Sequence, residues 1–301
     1  MGLNPNAARA TALRAAVVQM DVAIGANAAN CERVAERMAE AAAAGARLVV
    51  LPECSLSGYC FGSLMEALPY AEPLHGDNLR RLAEEAERLG ITCVVGFLER
   101  PGEQDRRTDG APGCYNSAAI LWPGGGAVYR KTHLPILGVD RFVTPGDRLS
   151  AIDAPAARLG TLICYDVRFS EAARVLGLDG AEVLALPTNW PEGAESSPDF
   201  ITRARAWENR FYLLAANRVG VERGRRFIGR SQIVAPSGEV LAEAGRDEER
   251  VLVADLDLAE THRKRVVIEP GEWELDATGD RRPGLYARLA SASPNDPGTN
   301  R

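Results

Sequence analysis

Glu53, Lys131 and Cys164 each stand where a strand-like run gives way to a loop, and together they supply a carboxylate, an ammonium and a thiol. Glu53 closes the run Val49-Val50-Leu51-Pro52. A carboxylate at the end of a buried strand is partly desolvated, which raises its pKa and makes it a better base near neutral pH. A glutamate that only caps backbone groups fits the same position. Lys131 follows Val128-Tyr129-Arg130 and precedes a loop bounded by Pro135. Only two of 35 strong bases are lysines, Lys131 and Lys264, which sets this one apart, although a surface lysine reads the same way. An ammonium is a compact charge that can be held against one atom, where a guanidinium is a planar fork. Cys164 ends Leu159-Gly160-Thr161-Leu162-Ile163, just before a helix opening at Ser170. A turn there presents the sulfur and aims backbone N–H groups at a substrate oxygen, and a nearby ammonium and the helix start favour the thiolate. A buried, inert thiol is the alternative, and it is the reading kept for Cys31, Cys54, Cys60, Cys93 and Cys114.

Composition narrows the partners. The 301 residues are 46% hydrophobic and 25% charged, ordinary for a globular protein with a full core. A net charge of −6 gives no bulk attraction to phosphate backbones, so nucleic acid is not an expected partner. The short run Arg223, Arg225 and Arg226 reads as a solvated loop. No apolar stretch reaches 18 residues, so no membrane span is expected, and Met1 to Arg14 carries no signal-peptide core. The scattered cysteines form no CxxC pair, which suits a reduced, cytoplasmic chain. His75, His133 and His262 are far apart and lack metal-ligand spacing, so no metal is expected.

The elements that must position these groups alternate strand-like and helix-like runs. Ala15 to Gln19, Leu48 to Leu51, Thr92 to Phe97, Asn116 to Leu121, Ala127 to Arg130, Arg158 to Ile163, Val183 to Pro187, Tyr212 to Ala216, Ser231 to Val234, Val240 to Glu243 and Val251 to Leu256 read as strands. Ala29 to Ala44, Asn78 to Leu89, Ser170 to Leu176 and Ile201 to Arg210 read as helices, with Asn78 as an N-cap, Gly90 as a stop and Glu171 favoured in a first turn. Pro123 to Gly126 and Pro236 to Glu239 signal hairpins. Two sheets with helices outside fit this mixture better than a plain βα alternation. Periodicity fades after about Gly271, and Ser291 to Arg301 is expected to be disordered.

In the order Glu, Lys, Cys, the segments resemble the nitrilase, or carbon–nitrogen hydrolase, superfamily. LPECSLSGY is similar to its glutamate motif, YRKTHLP to its lysine motif and LICYDVRFSE to its cysteine motif. ALPTNWP and RARAWEN are similar to further family segments, and the likeness runs from the Ala15 strand to about Leu256. The resemblance implies an α/β fold, a four-layer α-β-β-α sandwich pairing through subunits into a homodimer or higher homo-oligomer. It implies a hydrolase domain over residues 1–270 and a tail over 271–301, in which Trp273 to Tyr286 reaches a partner subunit. It implies that Cys164 attacks the carbonyl of a small-molecule amide, Glu53 moves protons, and Lys131 with the Tyr165 backbone N–H holds the oxyanion, through a thioester and without metal or organic cofactor.

Tyr165-Asp166 after the cysteine looks like amidases and N-carbamoyl hydrolases, where members acting on nitriles carry Trp-Glu. An N-carbamoyl amine or amino-acid hydrolase is the alternative within enzymes; it needs a carboxylate- or amine-binding group, and Arg168 fits that role and a structural one equally. Acyl transfer to an amine shares every residue, and a catalytically silent scaffold of the same fold is the alternative outside enzymes. The segment Leu137 to Phe142 lacks the family's second glutamate; Asp140 stands there, to position substrate, to pair with Arg141, or for neither purpose. Tyr59, Phe61, Tyr165, Asn189 and Trp190 are the candidate pocket walls, although aromatics at these loops equally suit a sealed core, and Asp166 and Glu208 read as structural.

Overall fold

Ala15 to Val18 shows no polar alternation because both faces of its strand are buried: Ala15 and Val17 pack toward a second sheet, Ala16 and Val18 toward helices. The structure, a computed structural model, describes residues 11–100, 102 and 113–291. It divides into two units, Met1–His262 and Arg263–Arg301.

In chain order the strands of the first unit are β1 (Ala12–Gln19), β2 (Leu48–Val50), β3 (Thr92–Glu99), β4 (Tyr115–Trp122), β5 (Gly125–Arg130), β6 (Ile152–Asp153), β7 (Arg158–Thr161), β8 (Val183–Pro187), β9 (Tyr212–Ala216), β10 (Val221–Glu222), β11 (Arg225–Arg226), β12 (Gln232–Val234), β13 (Val240–Glu243) and β14 (Arg250–Asp257). Its helices include α1 (Asn27–Ala43), α2 (Leu64–Ala67), α3 (Asp77–Leu89), α4 (Ser170–Leu178) and α5 (Thr202–Asn209). One six-stranded sheet runs β14-β1-β2-β3-β4-β5 and the other β13-β12-β9-β8-β7-β6. Each has a parallel centre, β1-β2-β3 or β9-β8-β7, with antiparallel flanks.

The sheets face each other, β1 and β2 against β8 and β9. Helices α1 and α3 cover the outer face of the first sheet through Val34, Met38, Leu79, Leu82 and Ala86. Helices α4 and α5 bring Ala172, Ala173, Leu176 and Ala206 to the core of the second. This is the expected four-layer α-β-β-α sandwich. β5 lies two antiparallel steps from β3 and so runs the same way as β2, which carries Glu53 and Lys131 out of the same end of one sheet's strands. Cys164 and Asn189 follow the carboxyl ends of β7 and β8 in the other.

The strands follow the sequence reading within a few residues, and Gly90, at φ 65°, ends α3 as expected. Asn78 does not cap that helix. The cap lies two residues earlier, at Gly76, and the Asn78 side-chain amide donates to Glu72 instead.

In the second unit, β15 (Arg265–Glu269) pairs with β16 (Trp273–Asp276), a hairpin that periodicity did not signal. Val266, Val267 and Ile268 are all exposed, so no buried face imposes alternation. Beyond Ser291 the stretch expected to be disordered lies outside the described residues.

Candidate active site

Glu53 leaves β2 across the backbone of Gly96 on β3. A Cβ at Gly96 would stand 2.5 Å from the Pro52 carbonyl and 2.6 Å from Glu53 Cα, so only glycine lets the strand end pass this close. Ser55 N–H then donates to Gly96 O at 2.8 Å. The loop beyond is tied down by Glu222, whose Oε1 accepts the Tyr59 and Cys60 amides at 2.9 and 2.5 Å. The buried Arg218 guanidinium donates to Glu222 Oε2 at 2.7 Å.

Lys131 is wholly buried, which removes the surface reading. Its backbone extends the β4–β5 ladder, donating to Asn116 O and accepting from Gly146 N, both at 2.8 Å. Its Nζ donates to Glu53 Oε1 at 2.7 Å and to Asp140 Oδ2 at 2.5 Å. One of its three N–H groups is thereby left over. Asp140 pairs with Lys131 and not with Arg141, which settles where that carboxylate goes. The Tyr59 hydroxyl donates to Asp140 Oδ2 at 2.8 Å and lies 3.0 Å from Leu137 O.

Asn116, which the sequence reading passed over, joins the two acids. Its Nδ2 donates to Glu53 Oε1 at 2.7 Å and to Asp140 Oδ1 at 2.8 Å, and its Oδ1 faces the Cys54 thiol at 3.7 Å. A buried Asn-Ser step inside the apolar strand Tyr115–Trp122 is the signal that could have found it. Glu53 Oε2 is buried and accepts no hydrogen bond.

Cys164 sits two residues past Leu162 with φ 48°, left-handed for a residue with a Cβ, at a cost of about 1–2 kcal/mol. It opens a 3₁₀ turn, Cys164–Arg168, and α4 begins only at Ser170. Asp166 fastens this turn to the lysine segment. Its Oδ2 accepts from Ile163 N–H at 3.0 Å and the Tyr129 hydroxyl at 2.8 Å, and its Oδ1 accepts from His133 N–H at 2.9 Å and lies 2.8 Å from His133 Nδ1. Asp166 thus bonds backbone and neighbouring side chains, and Glu208 pairs with Arg205 at 3.1 Å.

Burial pushes the Glu53 carboxyl up, against the pull of Lys131. Burial also pushes the Cys164 thiol up to about 12, with Glu53 adding to it. Lys131, the Thr188 hydroxyl and the Asn189 backbone N–H pull the other way. The expected thiolate-stabilising effect of the ammonium is thus present but outweighed. Burial would strip the charge from Lys131; Asp140 and Glu53 overcome it and hold the ammonium well above the usual lysine range. Burial thus favours the neutral carboxyl and the neutral thiol beside a fixed positive charge.

A cavity of about 250 Å³ opens at the sulfur, lined by Cys164, Tyr165, Arg168, Trp190, Glu192 and Leu137 among others. Tyr165 and Trp190, two of the candidate pocket walls, line this cavity. Tyr59 and Phe61 are buried in a packing cluster to the side. Asn189 is buried next to Cys164, with neither amide atom of its side chain hydrogen-bonded. Among the described residues no group of three or more His, Cys, Asp or Glu side chains is set to hold a metal, and no helix is long and apolar enough to cross a membrane.

Residues 14–265 match the family model for carbon-nitrogen hydrolases. A nitrilase from Pyrococcus abyssi is 36% identical over 259 residues, covering 84% of this chain and 93% of that protein. Omega-amidase NIT2 from Homo sapiens is 32% identical over 292 residues, covering 91% and 100%. Among solved structures, a mutant of the amidase from Nesterenkonia sp. AN1 superposes with a TM-score of 0.73 at 26% identity, covering 96% of this chain and 99% of that one. It shows covalent addition of the acetamide moiety of fluoroacetamide at that amidase's active-site cysteine.

Proposed function

Because the chain belongs to the carbon–nitrogen hydrolase family, we propose that it cleaves the C–N bond of a small aliphatic amide, giving acid and ammonia through a thioester on Cys164. The observation that carries this reading is the buried Lys131 ammonium, held between Glu53 and Asp140 and electrostatically coupled to Cys164.

Glu53 takes the thiol proton as sulfur attacks the amide carbon. The carbonyl oxygen becomes an oxyanion, met by the remaining N–H of Lys131 and by the Tyr165 backbone N–H. Collapse breaks the C–N bond, and Glu53 returns its proton to the leaving nitrogen. Water, deprotonated by Glu53, then attacks the thioester, and the proton goes back to sulfur as the acid leaves. Asp140 touches no reacting atom in this scheme; it fixes the ammonium. Tyr165 and Trp190 wall the substrate, and the unpaired Asn189 amide is available to it. A cavity of about 250 Å³ suits a small substrate.

A second reading is favoured by one observation. Arg168 lines the cavity, whereas the carboxylate of Glu192 faces Arg226 at 3.7 Å. A substrate with a carboxylate at its far end, an N-carbamoyl amino acid or the ω-amide of a dicarboxylic acid, would meet that cation. Exposed Phe200 and Trp207 beside and on α5 support a homo-oligomer, and the six unpaired cysteines support a reducing, cytoplasmic setting.

The test is ammonia release from an aliphatic amide, an N-carbamoyl amino acid, a dicarboxylic ω-amide and a nitrile, each beside Cys164→Ala. Release from one amide class, reduced at least about a thousandfold in the variant, is expected. Retained release in Cys164→Ala removes covalent catalysis at this sulfur.

A further inference from the structure

Glu53 has two oxygens in unlike surroundings. Oε1 accepts two charged or polar N–H donors, Lys131 Nζ and Asn116 Nδ2, each at 2.7 Å. Oε2 is as deeply buried and accepts none. A proton on Oε1 would meet two hydrogens already pointing at that atom, whereas Oε2 has its lone pairs free. The orientation of Asn116 is fixed by the same neighbours: two carboxylates require the NH₂ side, and the Cys54 thiol faces the oxygen side.

We propose that Asn116 is a positioning residue which, with Lys131, reserves Oε1 as a permanent acceptor and so makes Oε2 the atom of Glu53 that takes up and returns the proton. This rests on the catalytic reading above. The thiol proton passes to Oε2, leaving a thiolate and a neutral carboxylic acid whose Oε1 still accepts from Lys131 and Asn116. By spending its second N–H on Asp140, Asn116 also holds that carboxylate on Lys131, so one amide sets the geometry of both acids.

The groups that act on Glu53 are Lys131 after β5, Asp140 in the turn Gly138–Arg141, Cys54 and Tyr59 in its own loop, and Cys164 after β7. Of these only Lys131 favours the carboxylate, and Asn116 adds to it. The Asn116 hydrogen bond holds the Glu53 carboxyl lower than burial alone would leave it. Losing that bond therefore raises the pH below which the base is protonated and idle.

The experiment follows alkylation of Cys164 by iodoacetamide against pH, read by mass spectrometry of the modified peptide, in the intact chain and in Asn116→Ala and Asn116→Asp. The acid limb is expected to move up by about one pH unit in Asn116→Ala. It should move further in Asn116→Asp, which keeps the shape but adds a third carboxylate. A limb that stays in place while the rate falls overturns the proposal, as does failure of both variants to fold, since Asn116 would then be scaffold. Glu53→Gln separates the two layers of argument. If it alkylates with the native rate and profile, the catalytic reading of Glu53 itself fails; if it loses the limb while the Asn116 variants keep it, only the role of Asn116 fails.

Discussion

Two buried cations, each bracketed by two carboxylates, lie at opposite ends of the loop after Glu53, and they differ in one respect. Arg218 donates to Glu222 and Asp21 and to the Val22 carbonyl, and stacks on Phe227 at 4.4 Å. Both oxygens of Glu222 are occupied, one by Arg218 and one by the Tyr59 and Cys60 amides. Lys131 is buried as deeply, but its cluster keeps a Glu53 oxygen without a donor and an ammonium N–H without an acceptor. A saturated ion cluster holds a loop. An unsaturated one, at the same depth, keeps capacity for a substrate and a moving proton.

The contrast breaks most sharply at the lysine. Lys131→Arg keeps the charge but cannot place one N–H on each of two acids and a third on an oxyanion, so kcat/KM should fall by about 10²–10³ with the fold retained. A variant with near-native rates would make the two clusters equivalent. At the other cluster the effect should appear in stability. Arg218→Ala leaves Glu222 buried and unpaired, and urea unfolding should show a loss of about 3–5 kcal/mol. Its folded fraction should keep kcat within about tenfold; a collapse of kcat without a loss of stability would give Arg218 a role in the chemistry.

The smallest effect sharpens the comparison through pH. The Glu53 carboxyl is raised in the folded chain, so between the ordinary carboxylate range and that raised value the unfolded state sheds a proton the folded state keeps. This contribution to stability is full at low pH and declines as pH rises across that window. Melting curves of Glu53→Gln should lose this decline, and an unchanged pH dependence would mean Glu53 titrates normally.

The reactive side chains were legible because each follows a strand-like run, and because a lysine is rare in this chain. Their partners were not. Asn116 lies inside a strand whose neighbours are apolar, and only the β3–β4–β5 register brings it over Glu53. Asp140 stayed open because the loop path, not the nine residues separating it from Lys131, decides whether the two meet. The strands of the sandwich were readable from their apolar runs, while β15 and β16, with no buried face, left no pattern to read. The thiolate expectation missed burial, which a sequence shows only once its strands are stacked.

Asp166 has a mechanical consequence. The sulfur rides on one sheet, and the ammonium and carboxylate ride on the other, so a small shear of the sandwich would pull the reacting atoms out of register without breaking a single strand. Asp166 bridges that seam like a dowel, gripping Ile163 on one side and Tyr129 and His133 on the other. Sliding of the sheets must first withdraw this pin, and the alignment of the three groups is therefore as stiff as one buried carboxylate makes it.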